Sequence, residues 1–538
     1  CTTSTKNPVI VATFNGLSPN CDSNCTMSAS TKRISPAIRS PTRKPTASSM
    51  SKLISILCTL SAFCVSAYGN ERPNIVFLLA DDMGYGDLAC YGHPVIRSPN
   101  LDQLATEGVR LTDCYAASPN CSPARTAILT GRSPYRVGMY DFARFKPLHI
   151  PTSELTVAEV VRDAGYQTMF AGKWHCSGDF DHQPGPGDHG FDHWLANPKN
   201  FGHNPSGFYR NGKRLGKLDG WMSEIVVDEA IDFIDKRPDK SKPFMTMLWF
   251  SEPHVPVVAA KEFKRPYRNE ETIAAAKAIR YGGPQVIRKP KEENRAAYYG
   301  CVTMLDHHIG RLMDFLRTEG LEKNTLVIFT SDNGPEHRPA TSFGTPGILR
   351  GAKGHIHEGG YRVPGIVKWP GRIEPGSVSR QPVNGTDFLP SLAAVVGAKP
   401  EYPKKIDGIN VFPALAEGRS VVRPTAMLWW LYHARGAKEV SMRVGDYKIL
   451  ANMLPQAGIS IGDATPPAGV NLMDFIKQSN LGNFTLYNLS EDPSESVELS
   501  AQEPEKLSSL RQQFIQLHDE IREEGPYYEL GQKKQSKK

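Results

Sequence analysis

Short runs of β-favouring residues recur along residues 73–415, and most of them stop at side chains able to do chemistry. Ile75–Ala80 leads to Asp81-Asp82, Tyr166–Ala171 to Lys173-Trp174-His175, and Phe244–Phe250 to Glu252-Pro253-His254. Leu326–Thr330 leads to Ser331-Asp332-Asn333-Gly334, and Gly365–Trp369 to Pro370-Gly371. Apolar runs of this length, bounded by Gly, Pro, Asn or Asp, read as strands buried on both faces. Between them, apolar residues fall at helical spacing over Leu101–Glu107, Pro123–Thr130, Val157–Ala164, Ile225–Ile234, Ala296–Glu319 and Asp387–Val396. Strands alternating with helices predict an α/β fold, a mostly parallel sheet flanked by helices. In such sheets ligands gather beyond the carboxyl ends of the strands, which is where the polar clusters stand.

From about residue 416 the pattern changes. Ala426–Tyr432, Glu439–Val444 and Tyr447–Leu450 read as short strands, and Glu503–Ile521 as an amphipathic helix. A large domain over 70–415 and a smaller α+β domain over 416–538 are expected. The smaller one contains a surface loop at Pro455–Val470 and ends in the basic tail Lys533–Lys538.

The amino end reads differently again. Residues 1–49 are rich in Ser, Thr and Pro without periodicity, and are expected to be a leader or a mis-set start, since the chain opens on Cys1. At Met50 a basic start, the apolar run Leu53–Val65 and Ser66-Ala67 describe a secretory signal over 50–67. The run is shorter than the roughly 20 apolar residues of a spanning helix, so no stable membrane span is expected; an uncleaved anchor is the alternative. The signal reading implies a secreted or periplasmic protein.

With 40% hydrophobic and 22% charged residues the chain is an ordinary globular one. Most of its formal charge of +7 comes from residues 1–49, which hold six Lys/Arg against Asp22. The remainder has no basic field, so no nucleic-acid partner is expected. Beyond the leader stand Cys90, Cys114, Cys121, Cys176 and Cys301, without the pairs or spacing of a zinc site or a disulfide scaffold.

Cys121-Ser-Pro-Ala-Arg125 opens a helical run that ends Leu-Thr-Gly131-Arg132, placing Cys121 at a helix N-terminus where an anion is favoured. Arg125, one turn on, shares its face and is expected to reach the nucleophile's oxygens. Asp81, Asp82, Asp332 and Asn333 offer only oxygen ligands, a set suited to Ca²⁺ or Mg²⁺ rather than zinc or copper. Lys173 and Lys353 are flanked by glycines that permit close backbone approach. His175 and His254, at strand ends, are candidate proton-transfer groups.

The Cys121–Arg132 stretch resembles the signature of the formylglycine-dependent sulfatases, in the alkaline phosphatase superfamily. Other pieces recur in the family's order: Pro73–Gly86, Ser98–Asp102, Gly172–His175, His189–Asp192, Pro253–Pro256, Thr330–Gly334, Leu349–Lys353 and Glu358–Pro364. The resemblance implies an alkaline-phosphatase-like fold and hydrolysis of an aryl or carbohydrate sulfate ester, with sugar 6-sulfates such as N-acetylgalactosamine 6-sulfate among the candidates. It implies that a formylglycine-generating enzyme oxidises Cys121. It implies, too, a metal, usually Ca²⁺ with Mg²⁺ as the alternative, held by Asp81, Asp82, Asp332, Asn333 and the modified residue 121. Lys173 and Lys353 would contact the sulfate, His254 would protonate the leaving alcohol, and His175 would act as base when sulfate is expelled.

Two rivals stand beside that reading. One is a formylglycine-dependent phosphonate or phosphodiester hydrolase, in which a histidine tends to join the metal set. The other is a non-catalytic binder of sulfated glycans, if Cys121 stays a thiol. Three further expectations concern the surface. The insertion after His175 (Cys176-Ser177-Gly178) is expected in a surface loop. Lys261–Arg295 is either a solvated charged loop or a contact for an anionic polysaccharide. Asn384, Asn483 and Asn488 begin glycosylation sequons.

Overall fold

The structure, a computed structural model, describes residues 72–143, 147–277, 279, 292–336, 343–431, 438–454 and 472–528. The leader, the signal segment, the Pro455–Val470 loop and the Lys533–Lys538 tail lie outside these.

Ten strands form the main sheet: β1 (Asn74–Asp81), β2 (Val109–Leu111), β4 (Gln167–Lys173), β5 (His193–Asn197), β6 (Tyr209–Arg210), β7 (Lys213–Arg214), β8 (Phe244–Pro253), β9 (Thr325–Ser331), β10 (Gly365–Lys368) and β11 (Ser377–Ser379). Their order is β11-β2-β10-β9-β1-β8-β4-β5-β6-β7. The block β9-β1-β8-β4-β5 is parallel throughout. β10 runs antiparallel to both β9 and β2, in keeping with a sheet that is mostly parallel. β3 (Cys114–Tyr115) and β12 (Val383–Asn384) make a small parallel pair.

Alternation along β1 shows why the apolar runs are continuous. Ile75, Phe77 and Leu79 pack into one core, lined by helices Cys121–Thr130, Val157–Asp163 and Phe388–Val395. Val76, Leu78 and Ala80 pack into the other, under Pro99–Thr106, Met222–Lys236 and Glu292–Thr318. Both faces are covered, so apolar residues fill both parities of the strand. At Gly172 (φ 112°) the backbone of β4 comes so near β8 that a Cβ would stand 2.0 Å from the Trp249 carbonyl oxygen.

β13 (Met427–Leu431), β14 (Glu439–Val444), β15 (Tyr447–Leu454) and β16 (Asn480–Asn488) form an antiparallel sheet. Helix Pro504–Glu524 covers one face, over Val440, Met442 and Ile449. From the other face Trp429 stacks on Tyr361, ring centroids 4.3 Å apart, and donates its indole N–H to the Ala116 carbonyl at 2.7 Å. No helix among the described residues is long and apolar enough to cross a membrane.

Three local expectations need correction. Cys176 and Ser177 are buried, and the Cys176 carbonyl accepts from the Ile150 N–H at 3.1 Å, so the insertion enters the core rather than a surface loop. Asn384 is buried at a helix start, its side-chain oxygen accepting from the Thr386 N–H, which removes it as a glycan acceptor. Lys261–Arg295 is not one loop: it carries helices Lys261–Lys264 and Glu270–Lys277, with 280–291 outside the described residues.

Candidate active site

Because β9, β1, β8, β4 and β5 lie side by side and point the same way, their carboxyl ends bring distant residues together. Asp81-Asp82 come from β1, Lys173–His175 from β4, His254 from β8, and Asp332-Asn333 from β9. The helix beginning at Cys121 aims its first turn at them. Asn120 is extended (φ −135°, ψ 147°) and its carbonyl accepts from the Ala124 N–H at 3.2 Å, so the helix starts at Cys121 itself. The Ser122 hydroxyl accepts from the Ala143 N–H at 3.0 Å and fixes this entry.

Ligand atoms of Asp81, Asp82, Cys121 and His254 all lie within 4.8 Å of one another, and all four residues are buried. Cys121 Sγ is 3.7 Å from Asp81 Oδ1. Lys353 Nζ lies 2.5 Å from Asp82 Oδ1 and 3.3 Å from that sulfur. Lys173 Nζ lies 2.6 Å from Asp81 Oδ2. Asn333 Nδ2 donates to Asp82 Oδ1 at 2.7 Å, and Asp332 Oδ1 accepts from the Asp82 N–H at 3.2 Å. Asp332 and Asn333 thus join the cluster through Asp82.

Arg125 has partners beyond its own helix. Nε and Nη2 hold Asp332 Oδ2 at 2.9 and 2.7 Å, and Nη1 donates to the Lys173 carbonyl at 2.8 Å. It lies 5.1 Å over the Trp249 ring. A fully buried guanidinium needs a carboxylate and donors satisfied on every side, and Asp332 supplies the carboxylate.

The charges reshape titration here. Burial alone would raise the Asp81 carboxyl, but Lys173, His254 and Arg125 outweigh it and hold it below its ordinary value. Burial would strip Lys353 of its proton, yet Asp82 keeps it charged. Burial pushes the Cys121 thiol up, despite Lys173 and Lys353, so an unmodified Cys121 is protonated and a poor nucleophile. His175 is lowered by burial and then by Lys173 and Arg125; its ring stacks on Phe142, centroids 5.9 Å apart, and Nδ1 has no hydrogen bond. Burial also lowers His254, against the pull of Asp82. Its Nδ1 donates to the Val255 carbonyl at 2.5 Å, which leaves Nε2 to accept from Asn200 Nδ2 at 3.1 Å, 3.6 Å from Asp82 Oδ2.

The Sulfatase family profile matches residues 73–398, more than half of the chain. The chain belongs to the sulfatase family. Rat N-acetylgalactosamine-6-sulfatase is 33% identical over 424 residues, 73% of this chain and 74% of that one. Human arylsulfatase A is 33% identical over 467 residues, 85% and 89% of the two chains. The crystal structure of Ps i-CgsB in complex with k-i-k-neocarrahexaose superposes with a TM-score of 0.69 at 26% identity, covering 85% of this chain and 95% of that one. This sulfatase is accordingly an enzyme that hydrolyses sulfate esters.

Two neighbours of the sulfatase site carry no local sequence signal. Asn200, in the loop after β5, places Nδ2 3.1 Å from both ring nitrogens of His254. Phe142 lies beside His175 and 6.0 Å from Lys353 Nζ. Each is a loop residue brought in by the fold, and no spacing in the chain points to either.

Proposed function

We propose that this sulfatase is an exported, formylglycine- and calcium-dependent hydrolase of aryl or carbohydrate sulfates. The observation that carries the reading is the packing of Cys121 against Asp81, Asp82 and Lys353 in one buried cluster. The residues fit a hard cation: Asp82 Oδ2 and Asn333 Oδ1 are buried and accept no hydrogen bond, and such acceptors are otherwise costly. Asp81, Asp82, Asp332 and Asn333 would hold Ca²⁺ or Mg²⁺, whose charge would favour the sulfate's oxygens there. Formylglycine made from Cys121 supplies, when hydrated, a hydroxyl to attack sulfur and a second one whose deprotonation expels sulfate.

The side chains of this chain do the rest. Lys173 and Lys353 offer ammonium groups on two sides of residue 121 and neutralise the sulfate oxygens. Arg125 holds Asp332 and the Lys173 carbonyl, so it acts on the sulfate through them. His254 Nε2 faces the cluster and, once the ring is protonated there, gives that proton to the leaving alcohol and returns to the neutral form; His175, kept neutral by burial and by Lys173, takes one up when sulfate departs. Likeness to N-acetylgalactosamine-6-sulfatase and arylsulfatase A supports sugar 6-sulfates and aryl sulfates as the substrate class. The apolar run Leu53–Val65 supports export.

Mass analysis of the peptide containing residue 121 tests the reading. An aldehyde is expected. A stable thiol in active protein overturns the formylglycine step, and a stable thiol in inert protein supports a glycan binder. His254 within the cluster is the one feature that favours a phosphonate hydrolase. Comparing phenyl sulfate with phenyl phosphonate decides it, and faster phosphonate turnover overturns the sulfate assignment.

A further inference from the structure

Apart from the catalytic cluster, a group of fully buried charges joins the C-terminal sheet to the loops around residue 353. Lys448, on β15, is fully buried between two carboxylates: its Nζ lies 3.1 Å from Glu358 Oε1 and 2.7 Å from Glu495 Oε1. The other oxygen of Glu495 accepts from the Glu358 N–H at 2.7 Å, and the other oxygen of Glu358 accepts from the Tyr115 hydroxyl at 2.7 Å. Burial alone would raise the Glu495 carboxyl; Lys448 and His357 bring it down to about 2, so the cluster is charged in the folded protein.

Glu358 opens the short helical turn Glu358–Tyr361, and the active-site segments hang from that turn. The Gly334 N–H, next to Asn333, donates to the Gly360 carbonyl at 2.8 Å. Contact is so close that a Cβ on Gly334 would lie 1.9 Å from the Gly359 oxygen. The Gly359 N–H donates to the Arg350 carbonyl at 2.7 Å, and the Lys353 N–H to the Pro335 carbonyl at 3.0 Å. The segments bearing Asn333 and Lys353 are therefore tied to each other and to the turn. Buried ion clusters add little net stability compared with apolar packing, so stability alone does not account for Lys448, Glu358, Glu495 and Arg362, whose Nη1 lies 3.3 Å from Glu358 Oε2, all being buried at this junction.

We infer that Lys448, Glu358 and Glu495 are positioning residues for sulfate ester hydrolysis: through the Glu358–Tyr361 turn, the C-terminal sheet sets where Asn333 meets the cation and Lys353 meets the sulfate. The inference rests on the roles given to Asn333 and Lys353 above. None of the three touches the reacting atoms. The catalytic machinery is thus incomplete without the C-terminal sheet.

The test compares the full chain with Lys448→Met, which keeps the stem and removes the ammonium, and with Glu495→Gln, which keeps the acceptor for the Glu358 N–H. Calcium affinity is read by isothermal titration, inhibition by inorganic sulfate as Ki, and turnover with 4-nitrophenyl sulfate. Both variants are expected to weaken calcium and sulfate binding about 10- to 100-fold, as outer supports of metal sites do. Lys448→Arg should recover part of the loss. Ile521→Ala, a core change in the C-terminal helix, lowers the melting temperature as well but should leave both constants alone. If Lys448→Met does not fold, Glu495→Gln decides. Folded variants whose calcium Kd and sulfate Ki stay within about twofold of the parent overturn the inference, since that is far short of a supporting residue's effect. A parent that neither binds calcium nor turns over sulfate esters overturns the underlying reading instead, and is seen before any variant is made.

Discussion

Lys173 Nζ and Asp81 Oδ2 lie 2.6 Å apart at the ends of β4 and β1, and both side chains are shut off from solvent. Neither charge is tolerable there alone, so the two are expected to behave as a unit. Asp81→Ala leaves a buried ammonium without a partner, at a cost of about 3–5 kcal/mol in stability. Lys173→Met should cost less, because Arg125, 3.8 Å from Asp81 Oδ1, still faces the carboxylate. Urea unfolding of both single variants and of Asp81→Ala/Lys173→Met measures the coupling. Strict additivity in the double variant would show that the pair does not act together.

Much of this arrangement was legible in the chain. The runs ending at Asp81, Lys173, His254 and Asp332 named four strands and their functional ends, because a strand dry on both faces must end where polar residues begin. The order of those strands was not legible. β1 pairs with β8 and β9, segments roughly 170 and 250 residues away in sequence, and no local pattern encodes such pairings. Arg125 was placed on the right helix face, but its partner Asp332 belongs to β9, so no spacing along the helix could reveal that ion pair. Glu495 and Lys448 carried no signal at all: each looks like a solvated surface charge until the C-terminal sheet covers it.

Gly334 is expected to tolerate no side chain. A Cβ there would meet the Gly359 oxygen at 1.9 Å, and that oxygen is backbone that cannot rotate away. Gly334→Ala must displace Asn333 or the Glu358 turn, so kcat/KM should fall by about 100-fold or more, the scale of a roughly 1 Å misplacement. Circular dichroism would show a folded protein. Near-parental kinetics in Gly334→Ala would mean that the contact relaxes freely.

Acid should find the Lys448 cluster. The folded Glu495 carboxyl titrates near 2, below its ordinary 4.5. A depressed acid contributes stability above its unfolded value and loses it as the pH falls through the folded one. Between about pH 5 and about pH 3 the parent should therefore lose more unfolding free energy than Glu495→Gln, which has no carboxyl to protonate. Urea titrations at the two pH values give the comparison, and parallel losses would remove Glu495 from the account.

Chelation offers a separate check on the oxygen cluster. Dialysis against EGTA should abolish turnover of 4-nitrophenyl sulfate, with calcium restoring it and zinc failing to, because the donors are oxygen only. Asp82→Asn removes charge from the carboxylate that Lys353, Asn333 and His254 all face, and should raise the calcium concentration needed for half-activity about 10-fold or more. Unchanged activity in EGTA would remove calcium as the ion, and unchanged activity in EDTA, which also takes Mg²⁺, would leave the cluster without a metal to hold.

His254 lends itself to the most discriminating comparison, because an acid matters only to a leaving group that needs a proton. 4-Nitrophenolate departs readily as an anion, whereas a sugar hydroxyl does not. His254→Ala is therefore expected to lower kcat for N-acetylgalactosamine 6-sulfate by about 10²–10⁴ while sparing 4-nitrophenyl sulfate to within about tenfold. The ring also stands 3.6 Å from Asp82 Oδ2, so its loss could act through the cation cluster instead. In that case both substrates would suffer alike, with calcium affinity falling in step. Equal losses would move His254 from proton donor to ligand support.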